Sequence, residues 1–175
     1  YIYKIFDLSF QRESILIEGT NLYLKGRDIK AHLEHSLKCV LFAATLGSSI
    51  ERRIGHYKSY DLTRILVLDA CATALIESVC SEIEEEIKGI GQREYGLNIT
   101  SRYSPGYGDL SLNIQPKLLD VLEAHRIGLT VTEDLIMIPR KSVTAIIGLQ
   151  KEKGSFTGTC RKCTNRGNCP YRKEL

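Results

Sequence analysis

The longest helical pattern in this chain is DLTRILVLDACATALIESVCSEIEEEIKGI, residues 61–90. Apolar side chains recur in it every three or four residues over about eight turns, which is the spacing of one face of an α-helix. Gly89 and Gly91 predict where the helix ends. Its solvent-facing side is predicted to carry four glutamates with no sign of a metal site: Glu82, Glu84, Glu85 and Glu86.

Shorter patterns on both sides of the long helix predict a mixed fold. Strand-like stretches occur at Tyr1–Phe10, Ser14–Glu18, Leu22–Leu24, Lys38–Leu46, Thr130–Met137 and Ser142–Gln150. Further helices are predicted at Arg27–Leu37, from the capping-box pattern Ser48–Glu51 onward, and at Asn113–Arg126. Hairpin-like strands and long helices together indicate an α+β fold, in which a mainly antiparallel, twisted sheet packs on the helices.

Size and composition are those of one soluble domain. The chain has 175 residues, of which 43% are hydrophobic and 26% charged. No apolar run approaches the roughly 18 residues that cross a bilayer, so a membrane protein is not expected. The composition changes at residues 151–154, which predicts a domain at 1–153 and a separate Cys-rich, basic tail at 154–175. The mild overall charge and the lack of interleaved aromatic residues argue against a nucleic-acid partner.

A ligand-binding pattern follows the long helix in the run RYSPGYGD, residues 102–109. Pro105 fixes φ at the second position of a turn, and Gly106 permits the positive φ that the third position of a type II turn requires. Arg102 offers a planar fork of donors that suits a carboxylate, and the glycines would let a ligand reach backbone amides. Taken alone, the pattern is more typical of a structural turn with a surface arginine.

A second motif, GLTVTEDLIMIPRKSV, occupies residues 128–143. The two motifs together resemble the activation domain of vitamin B12-dependent methionine synthase, where an Arg-x-(Ser/Ala)-Pro-Gly-Tyr turn and a helix precede Gly-x-x-(Leu/Val)-Thr-Glu-x-x-x-Met-x-Pro-x-x-Ser-Val. The segments TLG (45–47) and LDA (68–70) are similar to stand-alone versions of that domain. The resemblance is dense from Thr45 to Gly148.

The resemblance implies a protein that reactivates cobalamin-dependent methionine synthase, or a related corrinoid methyltransferase, in trans. Such a domain binds S-adenosylmethionine and presents its methyl group to cob(II)alamin held by the partner, while a reductase supplies one electron. This implies a cytoplasmic methyltransferase component of methionine biosynthesis that needs a partner chain.

The resemblance also implies roles for individual residues. Arg102 matches the arginine that holds the methionine carboxylate of the ligand. Glu77, one turn after Thr73 on the long helix, is a predicted partner for the ligand ammonium, the alternative being an ordinary exposed glutamate. The turn whose backbone faces the ligand corresponds to Ser104, Pro105, Gly106, Tyr107 and Gly108.

Other residues of the two motifs are interpreted differently. Threonine and glutamate entering a strand commonly satisfy nearby backbone groups, and a proline shapes a hairpin. A structural role is therefore expected for Thr132, Glu133, Pro139 and Ser142. Gly108-Asp109 stands where the family usually has Pro-Ala.

Three cysteines of the basic tail have the spacing of metal ligands: Cys160, Cys163 and Cys169. A Cys-x2-Cys pair can direct two sulfurs to one ion, and nearby cations favour the thiolate form. Three thiols are one short of a closed site, so the sequence leaves open a 4Fe–4S cluster, zinc, or a tail without metal. The other cysteines lie in apolar segments and are expected in the core: Cys39, Cys71 and Cys80.

Two further functions fit the same residues. A non-catalytic interaction module would use the fold and a metal-binding tail to dock a partner. A corrinoid-protein chaperone would act without adenosylmethionine. Titration with adenosylmethionine separates the reactivation function from both alternatives.

Overall fold

A six-stranded antiparallel sheet lies at the centre of the protein. The structure is a computed structural model that describes residues 1–57 and 59–151. The sheet contains β1 (Ile2–Phe10), β2 (Ser14–Ile17), β3 (Tyr23–Lys25), β4 (Ser36–Thr45), β5 (Asn98–Ile99) and β8 (Ser142–Gln150). The strand order is β3-β2-β1-β4-β8-β5, and each neighbouring pair is antiparallel. A separate two-stranded ladder is formed by β6 (Thr130–Val131) and β7 (Met137–Ile138).

Helices cover both faces of this sheet. The α-helices of the described part are α1 (Arg27–Leu33), α2 (Ser48–His56), α3 (Leu62–Ile90) and α4 (Gln115–Leu122). A π-helical turn at Gly91–Tyr95 follows α3, and 3-10 turns lie at Leu112–Ile114 and Ala124–Ile127. None of the helices in residues 1–57 and 59–151 is both long and apolar enough to cross a membrane.

The central strand β4 is apolar at consecutive positions because both of its faces are buried. Successive side chains of a strand point to opposite faces. One set packs with α3 on the first face: Val40, Phe42 and Ala44. The other set packs with α1 and α4 on the second face: Cys39, Leu41 and Ala43.

The long helix α3 packs on the sheet mainly through its C-terminal half. The side chains that it buries there are Ile76, Cys80, Ile83 and Ile87. At its start, the Asp61 carboxylate accepts a 2.8 Å hydrogen bond from the Arg64 amide, which satisfies an N–H that has no partner within the helix. The α+β class and the mainly antiparallel sheet are confirmed. The α-helix gives way at Gly91 to the π-helical turn, so Gly89 and Gly91 do not end the helical path, which ends at Gly96 with a left-handed φ of 65°.

Three predicted elements differ from the structure by more than two residues. The helix predicted at Arg27–Leu37 ends at Leu33, because β4 already begins at Ser36. The helix predicted at Asn113–Arg126 is α-helical only in α4, because Glu123 adopts a left-handed φ of 58° that ends it. The stretch Thr130–Met137 is not one strand. It folds back on itself, so that β6 pairs with β7.

The predicted capping box is also wrong. Gly47, with φ 75°, precedes α2, and no side chain caps the helix. The hydroxyl of Ser48 instead accepts a 3.4 Å hydrogen bond from Arg52. The carboxylate of Glu51 accepts one from the backbone amide of Arg140, which ties α2 to the residues before β8.

Two side-chain assignments on α3 need correction as well. Cys71 is exposed, whereas Cys39 and Cys80 are buried as expected. Glu84 is not on the solvent-facing side, since it is half-buried against the sheet edge. Glu86 is exposed but accepts hydrogen bonds from the hydroxyls of Tyr1 and Tyr3, at 2.6 and 2.9 Å.

Candidate functional site

A short edge segment, residues 98–103, places Arg102 against α3. Its first part is β5, which pairs with the C-terminal end of β8. Further along, Tyr103 exchanges two 2.9 Å backbone hydrogen bonds with Ile146. Neighbouring side chains of an extended segment point to opposite faces, so Arg102 reaches α3 while the Tyr103 ring packs against His32 on the other side.

Two carboxylates of α3 hold the Arg102 guanidinium. Nε of Arg102 lies 2.9 Å from Oε2 of Glu84, and Nη2 lies 3.3 Å from Oε2 of Glu77. The two glutamates are about two helical turns apart, so they project from the same side of α3. The Glu84 side chain is 23% exposed and that of Glu77 is 57% exposed. Glu77 is therefore the end of this cluster that solvent reaches.

Burial and neighbouring charges shift the pKa values of Glu84 and Arg102 in opposite directions. Burial raises the pKa of Glu84, and Arg102 offsets only part of that rise. For Arg102, burial acts to lower the pKa, but the neighbouring groups, led by Glu84, leave the pKa raised. Burial raises the pKa of the adjacent Cys80 thiol. Arg102 therefore stays charged, and Cys80 stays a neutral thiol.

The predicted type II turn is present after Arg102. The amide of Tyr107 donates to the Ser104 carbonyl at 3.1 Å, and Gly106 has φ 89°. The Gly106 amide donates to the Leu110 carbonyl at 2.9 Å. These two amides are used within the loop, which corrects the expectation that the turn bares them to a ligand. The ring of Tyr107, in contrast, is exposed.

Asp109 fastens this loop to α1. Its carboxylate accepts hydrogen bonds from the backbone amides of Arg27 at 2.6 Å and Asp28 at 3.1 Å. These amides belong to the first helical turn, where an N–H has no partner in the helix. The bonds, that of Arg27 foremost, lower the pKa of Asp109. Gly108 lies so close to Asp28 and the Tyr103 hydroxyl that a Cβ at this position would collide with both.

A second cation lies on the same side of α3. Nζ of Lys141 is 2.8 Å from Oδ1 of Asp69 and donates to the Thr73 hydroxyl at 2.8 Å. Thr73 precedes Glu77 by one turn, so the polar row continues along the helix to Glu84. Both signs of charge occur in this row, which suits a zwitterionic amino-acid group.

The residues of the second motif make internal contacts. The Ser142 hydroxyl donates to the Pro139 carbonyl at 2.6 Å and lies 2.8 Å from the hydroxyl of Thr45. The Thr132 hydroxyl accepts a 3.2 Å hydrogen bond from the Ile136 amide, inside the turn between β6 and β7. These contacts support the structural interpretation of this motif.

The structure thus brings Arg102 and Glu77 together and places the Ser104–Tyr107 turn directly after them. Sequence reasoning missed Glu84 and Asp109. Glu84 had a usable signal, because its seven-residue spacing from Glu77 puts both on one side of a helix. Asp109 had no such signal in the sequence, because its neighbours along the chain do not show that α1 lies beside it.

The predicted metal ligands Cys160, Cys163 and Cys169 lie outside the described residues, and a site formed by them stays a prediction. Within residues 1–57 and 59–151, no cluster of three or more His, Cys, Asp or Glu side chains is arranged to hold a metal ion. Metal analysis of the purified protein, with a Cys163→Ser variant, would test the cysteine site.

The fold is that of a solved domain with a bound ligand. Over 86% of its length, this chain is similar to the crystal structure of the MetH reactivation domain bound to AdoHcy, with a TM-score of 0.66 and 14% sequence identity. The chain spans 58% of the length of that structure. No protein-family model matches the sequence, and neither does any curated protein. At this identity the likeness shows that the two share an α+β fold.

Proposed function

We propose that this protein binds S-adenosylmethionine and acts in trans to reactivate a cobalamin-dependent methionine synthase or a related corrinoid methyltransferase. One observation carries the proposal: the Arg102–Glu77–Glu84 cluster precedes the Ser104–Tyr107 turn on a fold shared with an AdoHcy-bound domain. The same motifs carry the sequence resemblance to the methionine synthase activation domain.

The cluster has the charges that the amino-acid end of this ligand needs. A guanidinium has five N–H donors, and the two glutamate contacts of Arg102 involve only Nε and Nη2. A ligand carboxylate would bind at the remaining donors of Arg102. The exposed Glu77 carboxylate would then accept the ligand ammonium, so that each charge keeps an opposite partner. Glu84 would hold the guanidinium in place from the buried side.

The protein's share of the chemistry is placement. The methyl group would pass to cobalamin held by the partner, which would become the nucleophile once a reductase had supplied one electron. The sulfonium carries its own leaving group and departs as the neutral thioether S-adenosylhomocysteine. Arg102 and Glu77 would bind and orient the donor beside the turn, and holding two reactants in line lowers the barrier without any covalent contribution from the chain.

Calorimetric titration with adenosylmethionine and with AdoHcy tests the binding step. Charge-assisted hydrogen bonds contribute about 1.5–3 kcal/mol, so Arg102→Ala should weaken binding of either ligand about 10-fold to 100-fold. Arg126→Ala is the matched control. It removes an exposed arginine that pairs with Glu123 at 3.4 Å, away from α3, and should leave affinity unchanged. Equal binding by both variants, or no binding by the parent protein, would overturn the assignment.

The reactivation step has its own readout. The protein is added to a cobalamin-dependent methionine synthase in the cob(II)alamin state, with adenosylmethionine and a one-electron reductant. The visible spectrum should convert to that of methylcobalamin at a rate that depends on Arg102. If the ligand binds but the spectrum never changes, the proposed partner is wrong while the binding assignment stands.

A further inference from the structure

The N-terminal half of α3 presents an apolar surface that the described residues leave open. In the first 14 residues of the helix only Ala72 is buried. Leu75 is 53% exposed, and Cys71 is exposed beside it. An exposed leucine on its own needs no explanation, but a continuous apolar line marks an interaction site.

This line has the spacing of a helix–helix interface. We call it the α3 seam, and its members are Arg64, Leu68, Cys71, Leu75 and Glu82. Successive members are four, three, four and seven residues apart. That is the heptad spacing by which two helices pack along a shared line. The centre of the seam is apolar, its N-terminal end is basic and its C-terminal end is acidic.

We propose that the α3 seam is the interface of a dimer in which two copies of this chain pair antiparallel about a two-fold axis. Arg64 and Glu82 are equally far from Thr73. A two-fold axis that crosses the seam at the level of Thr73 along the helix sets Arg64 of each copy opposite Glu82 of the other, and the same register sets Leu75 against Cys71. A two-fold interface requires this self-complementarity, because the same patch serves both copies.

The charge pattern selects a second copy as the occupant. Arg64 and Glu82 are five turns apart, about 27 Å, so they cannot pair within one helix. The present contacts of Arg64 are loose and exposed: Nε is 3.7 Å from Asp61, and the guanidinium lies 4.8 Å above the Tyr57 ring. Surface ion pairs contribute little affinity, so the charged ends select the orientation while the apolar centre supplies the attraction.

The dimer leaves the candidate ligand site open. Glu84 follows Leu75 by nine residues, which is two and a half helical turns, so the two project from opposite sides of α3. Pairing along the seam therefore does not cover Arg102.

Complementary charge reversal tests the pairing. In sedimentation equilibrium the full chain should be a dimer. Arg64→Glu or Glu82→Arg should each be a monomer, because each sets like charges opposite one another at both ends of the seam, which opposes association far more than an ion pair favours it. An equimolar mixture of the two variants should dimerise, since one copy then carries two acidic ends and the other two basic ends. A change confined to the folding of one chain could not restore dimerisation on mixing, because each variant is altered at a different position. A monomeric parent, or a mixture that stays monomeric, overturns the proposal.

A leucine pair on the same helix tests the apolar centre. Leu75→Glu should weaken dimerisation at least about 10-fold, because both copies lose their central contact. Leu66→Glu is the matched control: Leu66 is more exposed than Leu75 but lies on the opposite side of the helix, and its change should leave the dimer intact. If both changes dissociate the dimer, or neither does, the interface is not the α3 seam.

Discussion

The two halves of α3 have similar apolar sequences but different surroundings. In the C-terminal half, Ile83 and Ile87 are almost fully buried against β4 and β8. In the N-terminal half, Leu62 and Leu66 are more than two-thirds exposed. Once the packed C-terminal half has formed, each further residue adds one hydrogen bond to an existing helix, so α3 can extend beyond the sheet. The C-terminal half stabilises the domain, whereas residues 1–57 and 59–151 leave Leu62 and Leu66 of the N-terminal half uncovered.

The largest expected effect of this difference is on stability. Ile83→Ala should lower the free energy of unfolding by about 2–5 kcal/mol, because it leaves a cavity beside the sheet. Leu66→Ala should change it by less than about 0.5 kcal/mol, because Leu66 is 71% exposed and its removal leaves no cavity. Urea denaturation of both variants measures these values. Similar losses for the two would show that something covers the N-terminal half in the folded protein.

A smaller effect on stability is expected within the Arg102 cluster, where Glu84 is the covered position and Glu77 the open one. Glu84→Ala should cost about 1–2 kcal/mol of unfolding free energy, because it removes a half-buried side chain and leaves the partly buried guanidinium without its nearest acceptor. Glu77→Gln should cost less than about 0.5 kcal/mol, since the Glu77 pair is largely solvated. Urea denaturation at neutral pH gives both numbers. A larger cost for Glu77 would contradict the geometry of the cluster.

For ligand affinity the order of the two variants should be reversed, with the larger loss at Glu77. Under the proposed function, Glu77 accepts the ligand ammonium, whereas Glu84 only supports Arg102. Glu77→Gln should therefore weaken adenosylmethionine binding about 10-fold in calorimetry while leaving stability almost unchanged. Unaltered affinity would remove Glu77 from the site without touching the role of Arg102.

Sequence patterns predicted α3 well because its periodicity extends over about eight turns. They failed at short elements, where one residue decides the outcome. Glu123 ends α4 by adopting a left-handed conformation, which is uncommon for glutamate and has no local signal. The Ser48–Glu51 pattern fits a capping box, yet Glu51 is drawn away by the amide of Arg140, a contact that only the tertiary fold creates.

In the candidate site, too, the parts set by local sequence could be predicted and the parts set by tertiary contacts could not. The turn at Pro105-Gly106 follows from local chemistry, and the structure contains it. The partners of Arg102 do not follow locally, because they come from α3, which precedes the arginine by some 20 residues. From the sequence alone Glu84 is predicted to be solvated, because nothing in the sequence shows that the sheet edge lies over it. Long-range burial, not residue type, makes it part of the cluster.

The smallest expected effect is a difference in pH dependence between two carboxylates of the site. Burial raises the pKa of Glu84, whereas hydrogen bonds from the first amides of α1 lower the pKa of Asp109. A raised pKa means that the folded state binds the proton more tightly than the unfolded chain does. The contribution of Glu84 to stability is then fully present below its ordinary pKa of 4.5 and is lost as the pH rises through its folded pKa. Asp109 contributes in the opposite sense, and its stabilisation is lost as the pH falls through its lowered pKa.

Carbon-detected NMR titration of the side-chain carboxyls separates the two. The Glu84 midpoint should lie above 4.5 and the Asp109 midpoint below 3.8, the ordinary values for these groups. Arg102→Ala should raise the Glu84 midpoint further, because the cation that offsets burial is gone. It should leave Asp109 unchanged, because the bonds to that carboxylate come from backbone amides of α1. A Glu84 midpoint that stays near 4.5 in both proteins would mean that water reaches this carboxylate, and that the covered part of α3 ends before Glu84.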